Sequence, residues 1–104
     1  MKVALYARYS SDAQRDASIA DQLRICRAHA ERHGWHIVEE YTDHAVSGAS
    51  LLRPGIQALI ADALQGRFQL VLAEAMDRLS RDQEDIAGLF KRMAYGDVKI
   101  VTLS

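Results

Sequence analysis

The 104-residue chain is 49% hydrophobic and 26% charged, enough apolar material for one soluble domain with its own core. Its formal net charge of −1 argues against a free-standing nucleic-acid-binding domain, whose affinity comes largely from neutralising phosphates. No apolar run approaches the roughly 20 residues of a membrane span, the apolar run after Lys2 is too short for a secretory leader, and a single cysteine, Cys26, excludes an internal disulfide and fits a reducing cytoplasm.

The first strand is expected over Lys2–Ala7, followed by the polar loop SSDAQRDA. Ser18, with Asp21 three residues on, forms an approximate capping box. The helix it opens runs to about His33, and Gly34 suits the C′ position. Ile19, Leu23, Cys26 and Ala30 fall on one stripe of that helix. WHIVEEY predicts a second strand and TDHAVSGASLL a loop. Pro54 suits the first turn of a second helix, where its missing N–H has no partner to lose. Ile56, Leu59, Ile60, Ala63 and Leu64 form the apolar face of that helix, and Gly66 ends it. FQLVLA predicts a third strand covered on both faces. Ser80 and Gln83 read as a capping box for a third helix. Ile86, Leu89, Phe90 and Met93 form its apolar face, Lys91 and Arg92 sit in its last turn, and Gly96 closes it. VKIVTL predicts a fourth strand. The alternation βαβαβαβ means a parallel sheet with helices on its faces. A last residue directly after an apolar strand gives the expectation of a fragment of a longer protein.

Ligands of open α/β sheets bind beyond the carboxyl ends of the strands. Three polar clusters are expected there: Arg8, Ser10 and Ser11 after the first strand; Asp43, Ser47, Gly48 and Arg53 after the second; Asp77, Arg78 and Arg81 after the third. In extended backbone residues i and i+2 point the same way, so Arg8 and Ser10 share a face and Ser11 does not. The competing reading makes the serines a turn and Arg8 a solvated charge. The capping box places Arg81 at the first helical position, where a cation opposes the helix dipole unless an anion lies between them. Arg78 lies one turn earlier, and two arginines at a helix start suit the forked grip on a phosphate. The competing reading here is a salt-bridged turn among Asp77, Arg78, Arg81 and Asp82. There is no GxxxxGK[ST] phosphate loop, no GxGxxG and no GxSxG elbow. His29 and His33 stand at i, i+4, but no third metal ligand accompanies them. His36 and His44 read as surface residues, Cys26 as core, and Tyr6 and Trp35 as packing residues.

The ordered set YARYSS, SIADQ, YTDHAVSG, RPG and MDRLSRD resembles the N-terminal catalytic domain of the serine recombinases, the resolvase/invertase family, from Tyr6 to about Leu103. The resemblance implies a three-layer α/β/α fold with a mainly parallel sheet in the order 2-1-3-4. It also implies one catalytic domain over residues 1–104, with a fifth strand, a dimerisation helix and a C-terminal DNA-binding domain lying beyond Ser104. Ser10 falls on the nucleophile, Arg8 on the arginine of Y-x-R-x-S, and Gln22 on the glutamine of the first helix. Asp43, Ser47 and Gly48 match the loop motif, Arg53 the arginine after it, and Asp77, Arg78 and Arg81 the D-R-L-x-R motif. The implied reaction is metal- and cofactor-free cleavage and rejoining of DNA through a 5′-phosphoserine. Arg8, Arg78 and Arg81 would stabilise the transition state, and Asp77 would protonate the leaving oxygen or orient an arginine. The implied partners are DNA and, in the full-length protein, a homodimer and a synaptic tetramer, in the cytoplasm. The fragment alone would be inactive and monomeric or weakly associated. Small resolvases often carry lysines before D-R-L, whereas this chain has Glu74; SSDAQ, RPG and LSRD look more like the large serine recombinases. The alternatives are a non-catalytic flavodoxin-like module that binds an anion or a protein, and a small phosphoesterase, which would need a hydrolytic water and usually a metal. A nucleophile facing several arginines separates the first reading from a binding module.

Overall fold

Unbroken apolar runs make the inner strands, and amphipathic segments make the helices. The computed structural model describes residues 1–8, 18–44, 53–80 and 83–104. Its elements are β1 (Lys2–Arg8), α1 (Ile19–Arg32), β2 (His36–Asp43), α2 (Pro54–Leu64), β3 (Leu70–Ala73), α3 (Met76–Leu79), α4 (Gln83–Tyr95) and β4 (Lys99–Thr102). The strands form one parallel sheet in the order β2-β1-β3-β4, as expected. β1 lies between β2 and β3, with Tyr6 opposite Tyr41 on one side and Ala73 on the other.

The side-chain period of two sorts β1 between the layers. Val3, Leu5 and Ala7 pack with Leu23, Cys26 and Ala30 of α1. Ala4 and Tyr6 pack with Ile56, Leu59 and Ile60 of α2 and with Leu89 and Met93 of α4. Strands are added outward in opposite directions from the β1/β3 boundary, β1 to β2 on one side and β3 to β4 on the other, so the helices after β1 and β3 lie on opposite faces. The carboxyl ends of β1 and β3 therefore flank a crevice, the usual ligand position of such sheets.

Several helix ends follow their sequence signals. The Ser18 hydroxyl caps α1 by accepting from Asp21 N–H at 3.1 Å. Gly34 and Gly66 take the left-handed conformation after α1 and α2, with φ of +67° and +75°. Pro54 occupies the first turn of α2. The cap of α2 comes from a distant residue: Asp43 Oδ1 accepts from Gly55 N–H at 2.8 Å and Oδ2 from Ile56 N–H at 3.0 Å. A Cβ at Gly55 would sit 2.4 Å from the Thr42 carbonyl oxygen and 2.8 Å from Asp43 Oδ2. The RPG stretch thus places a proline where a donor is dispensable and a glycine where two elements touch.

Other expectations are corrected. Arg8 and Asp43 are the last residues of their strands, not members of the loops that follow. An additional short helix, α3, carries Asp77, Arg78 and Leu79, and Ser80 is its C-cap. α4 opens at Gln83, so Gln83 is not the third residue of a helix capped by Ser80; Arg81, expected at its first position, lies outside the described residues. Gly96 does not supply a left-handed close; Asp97 does, with φ of 60°. Gly96 instead meets α2, where a Cβ would lie 2.9 Å from the Ala63 carbonyl oxygen. Leu64 and Phe90, expected in the core, are 50% and 41% exposed, because each lies at the edge of its apolar stripe. His29, His33 and Trp35 stack at the end of α1, with His33 and Trp35 centroids 4.5 Å apart. Burial, followed by the charges of His33 and Arg32, lowers the pKa of His29.

Gly55→Ala is expected to destabilise the fold by about 2 kcal/mol through overpacking. Gly88→Ala, where an added Cβ meets nothing within 4 Å, is expected to stabilise α4 by about 0.5–1 kcal/mol. Urea midpoints at constant m-value check both.

On the α2 face of β2 Tyr41 OH donates to Asp62 Oδ2 at 2.5 Å, and Arg67 lies 3.2 Å from Asp62 Oδ1. The tyrosine hydroxyl first, and Arg67 after it, hold the Asp62 pKa below its ordinary value. Asp62 therefore stabilises the fold above its unfolded pKa, and that contribution disappears as pH falls through the depressed folded value. Tyr41→Phe is expected to move the Asp62 titration upward, towards the ordinary carboxylate range, as followed by its side-chain carboxyl ¹³C shift.

Candidate active site

Even-numbered residues of β1 face α2 and α4, and Arg8 continues that face past Tyr6 to the strand end. Its side chain is fully buried. Nε donates to the Arg78 carbonyl at 3.2 Å, and a terminal amino group donates to the Asp77 carbonyl at 2.8 Å. Arg53, only 2% exposed, reaches the same turn from the start of α2. It donates to the Arg78 carbonyl at 3.2 Å and to the Leu79 carbonyl. Two guanidinium groups from separate segments thus hold the carbonyls of α3, which is too short to stand alone.

Tyr6 joins this pair to Asp43. Its hydroxyl donates to Asp43 Oδ2 at 2.6 Å and accepts from Arg53 at 3.0 Å, and the guanidinium carbon of Arg53 lies 5.6 Å from its ring centre. Burial first, and the Asp43 carboxylate second, push the Tyr6 pKa far above its ordinary value. The phenol therefore stays protonated and remains the donor. Tyr6 had read as a packing residue. The signal that finds it is its place two residues before Arg8, on the same face of the strand.

Gln22 approaches from the opposite layer. Its amide oxygen accepts from Arg8 N–H at 3.2 Å and its amide nitrogen donates to the Arg8 carbonyl at 2.9 Å. Both backbone groups of Arg8 are occupied as a neighbouring strand would occupy them. Gln22 thereby fixes the strand end two residues before Ser10.

Arg78, 6% exposed, donates from Nε to Glu74 Oε2 at 3.2 Å, and Asp77 is exposed beside it. Arg8, Asp43, Arg53, Asp77 and Arg78, from β1, β2, α2 and α3, therefore converge on one end of the sheet. Ser10, Ser11, Ser47, Gly48 and Arg81 lie outside the described residues. Among the described residues no three His, Cys, Asp or Glu side chains gather as metal ligands. A cavity of about 300 Å³ lined by Lys2, Val38, Glu39, Tyr41, Arg67 and Phe68 lies at the opposite end of the strands and includes none of the convergent groups. The site is instead a turn beside the carboxyl ends of β1 and β3 that gathers three buried guanidinium groups, the side chains that pair with oxyanions.

Residues 3–104 match the family model of the resolvase N-terminal domain. The chain belongs to the resolvase family. It is similar to the N-terminal catalytic domain of TP901-1 integrase, with 34% identity over 99% of this chain and 77% of that one, at a TM-score of 0.89. It is also similar to the C-terminal catalytic domain of ISC1926 TnpA, an IS607-like serine recombinase: 27% identity, 100% and 68% coverage, TM-score 0.87. A resolvase family site-specific recombinase from Streptococcus pneumoniae shares 26% identity over 99% of this chain and 72% of that one, at a TM-score of 0.83. No curated relative matches by sequence. The resolvase domain described here is that of a serine site-specific recombinase. Among the described residues no helix is long and apolar enough to cross a membrane.

Tyr6→Phe removes one hydroxyl that serves a carboxylate and a guanidinium together. The expected loss is about 2 kcal/mol, because hydrogen bonds to charged groups exceed neutral ones and both partners stay buried. Chemical denaturation of the variant against the parent chain measures it.

Proposed function

We propose that residues 1–104 form the strand-cleaving domain of a DNA recombinase in which Ser10 is the nucleophile. The observation that carries this reading is the convergence of Arg8, Arg53 and Arg78 on one turn beside the strand that leads, within two residues, to Ser10. A binding module has no need of a two-pronged glutamine contact to Arg8, two residues before a serine in the sequence.

The Ser10 hydroxyl loses its proton as Oγ bonds the 5′ phosphate; the bond to the 3′ oxygen breaks and that oxygen takes up one proton, so no net proton is gained or lost. Attack by the 3′ hydroxyl on the phosphoserine reverses these changes and rejoins a strand with no nucleotide cofactor, since the phosphodiester energy is retained in the covalent intermediate. Negative charge on the non-bridging oxygens is met by preorganised guanidinium donors. Arg78 and Arg81 take that role, Arg8 and Arg53 hold the turn that presents Arg78, and exposed Asp77 serves the leaving oxygen. Asp43 caps α2 and, through Tyr6, keeps Arg53 in place; Ser47 and Gly48 are assigned to substrate binding. DNA is the substrate, the working assembly is a homodimer that pairs into a synaptic tetramer, and the compartment is the cytoplasm. The charge of −1 is consistent with site-specific DNA contacts made by another part of the full-length protein.

Ser10→Ala is expected to abolish the covalent protein–DNA adduct of the full-length protein, and Ser11→Ala to retain it, as read on denaturing gels. An undiminished adduct from Ser10→Ala reverses the nucleophile assignment. Arg81→Ala is expected to lower strand cleavage by about 10²–10³ with the melting temperature unchanged, the usual cost of one transition-state donor.

A further inference from the structure

The end of α1 carries His29 and, at its C-cap, His33. Four residues apart, they share one face of the helix, and their ring centres lie 4.4 Å apart. The chain then turns back through Gly34, at φ +67°, and the Trp35 N–H donates to the Ala30 carbonyl at 2.9 Å. That turn sets the indole beside both imidazoles, 4.5 Å from His33 and 5.7 Å from His29 between ring centres. His33 Nδ1 lies 2.9 Å from the His29 carbonyl oxygen. A carbonyl only accepts, so Nδ1 carries the proton and Nε2 of the neutral ring keeps its lone pair. Among the described residues neither imidazole makes another hydrogen bond.

We propose that His29 and His33 together bind one divalent transition-metal ion of the class that imidazole prefers, Ni²⁺, Cu²⁺ or Zn²⁺. Metal–nitrogen bonds of about 2.0–2.1 Å put two imidazoles on one ion with ring centres roughly 4–5 Å apart, the separation these rings already have. A ligating histidine usually donates its other ring N–H to a carbonyl or carboxylate, which fixes the tautomer and the ring plane. His33 makes that bond in the absence of an ion. Trp35 backs the same ring, so little side-chain freedom remains to be lost on binding. The ion sits at the carboxyl end of α1, where the helix dipole favours a cation. Arg32 is near enough to act on His29, but it is exposed and its repulsion is screened by solvent. Two protein ligands leave the remaining coordination positions to water. The pair shares a face only while α1 is helical, so the ion binds the folded chain and stabilises it.

Calorimetric titration of Ni²⁺ into the full-length protein, free of any histidine tag, tests the site. His29→Ala and His33→Ala are each expected to weaken one binding event by about tenfold or more, because the second imidazole binds intramolecularly once the first is engaged. The double variant is expected to bind as weakly as either single one. His44→Ala, past the far end of β2, is expected to match the parent. Ni²⁺ is expected to raise the melting temperature of the parent more than that of either single variant, whereas Mg²⁺, which takes oxygen ligands, leaves it unchanged. Parental affinity in either single variant overturns the proposal, as does an equal response to Mg²⁺. A second measurement needs no histidine variant: Cu²⁺ is expected to quench the fluorescence of Trp35, taken as the difference between the parent and Trp35→Phe. Unquenched Trp35 emission at saturating Cu²⁺ places the ion elsewhere and overturns the proposal.

Discussion

The site depends on two buried guanidinium groups bonded to the backbone of one turn. α3 is a single turn, and an isolated turn of helix is unstable because nucleation fixes many dihedrals for one hydrogen bond. The Met76 carbonyl accepts from Ser80 N–H at 3.2 Å, but those of Asp77, Arg78 and Leu79 fall in the last turn, where a helix supplies no donor. Arg8 and Arg53 supply those partners, and the carbonyls in turn satisfy cations that burial would otherwise penalise heavily. Removing either side leaves the other exposed to that penalty. The turn and the arginines therefore define each other's positions, and the place of Arg78 follows from both.

The same economy extends into the sheet. Asp43 ends β2 and, among the described residues, accepts from the Tyr6 hydroxyl and the backbone N–H groups of Gly55 and Ile56. One carboxylate thus caps α2, orders the residue beside Arg53 in RPG and anchors the tyrosine that accepts from Arg53. The close approach that excludes a Cβ at Gly55 is what brings the start of α2 to the end of β2. Arg53 reaches the D-R-L turn because of that approach. Fold and site share these contacts, so a substitution in the network alters stability and presentation of the turn together.

The periodicities of β1, α1 and β3 were legible in the sequence because they report burial of whole faces, a local property of spacing. The end signals at Ser18, Gly34, Pro54 and Gly66 were legible for the same reason. The inward course of Arg8 and Arg53 was not. Whether an arginine is solvated or buried is decided by acceptors 70 and 25 residues away in the chain, and no local pattern records them. The turn α3 has no local signal of its own, because its stability comes from those distant donors. Gly96 looked like a helix stop, yet it answers to the Ala63 carbonyl across a helix crossing. Leu64 and Phe90 fit the apolar stripes by spacing but lie at their edges, where the layer no longer covers them.

Charge accounting places a further condition on the mechanism. A near-neutral chain offers little long-range attraction to DNA, and three of its arginines are already committed to interior partners. A phosphate that bonds Arg8 must displace the carbonyls of Asp77 and Arg78, or the turn must move so that both are served. Leaving a buried carbonyl without a donor costs about 1–3 kcal/mol, while a charge-assisted bond to phosphate is roughly twice as strong as a neutral one. The exchange is close enough to balance that the contacts around the turn decide it. At Nε of Arg78 a phosphate competes with the Glu74 carboxylate. Both arginines are therefore engaged before a phosphate arrives, and its entry depends on how far the turn that carries their acceptors can move.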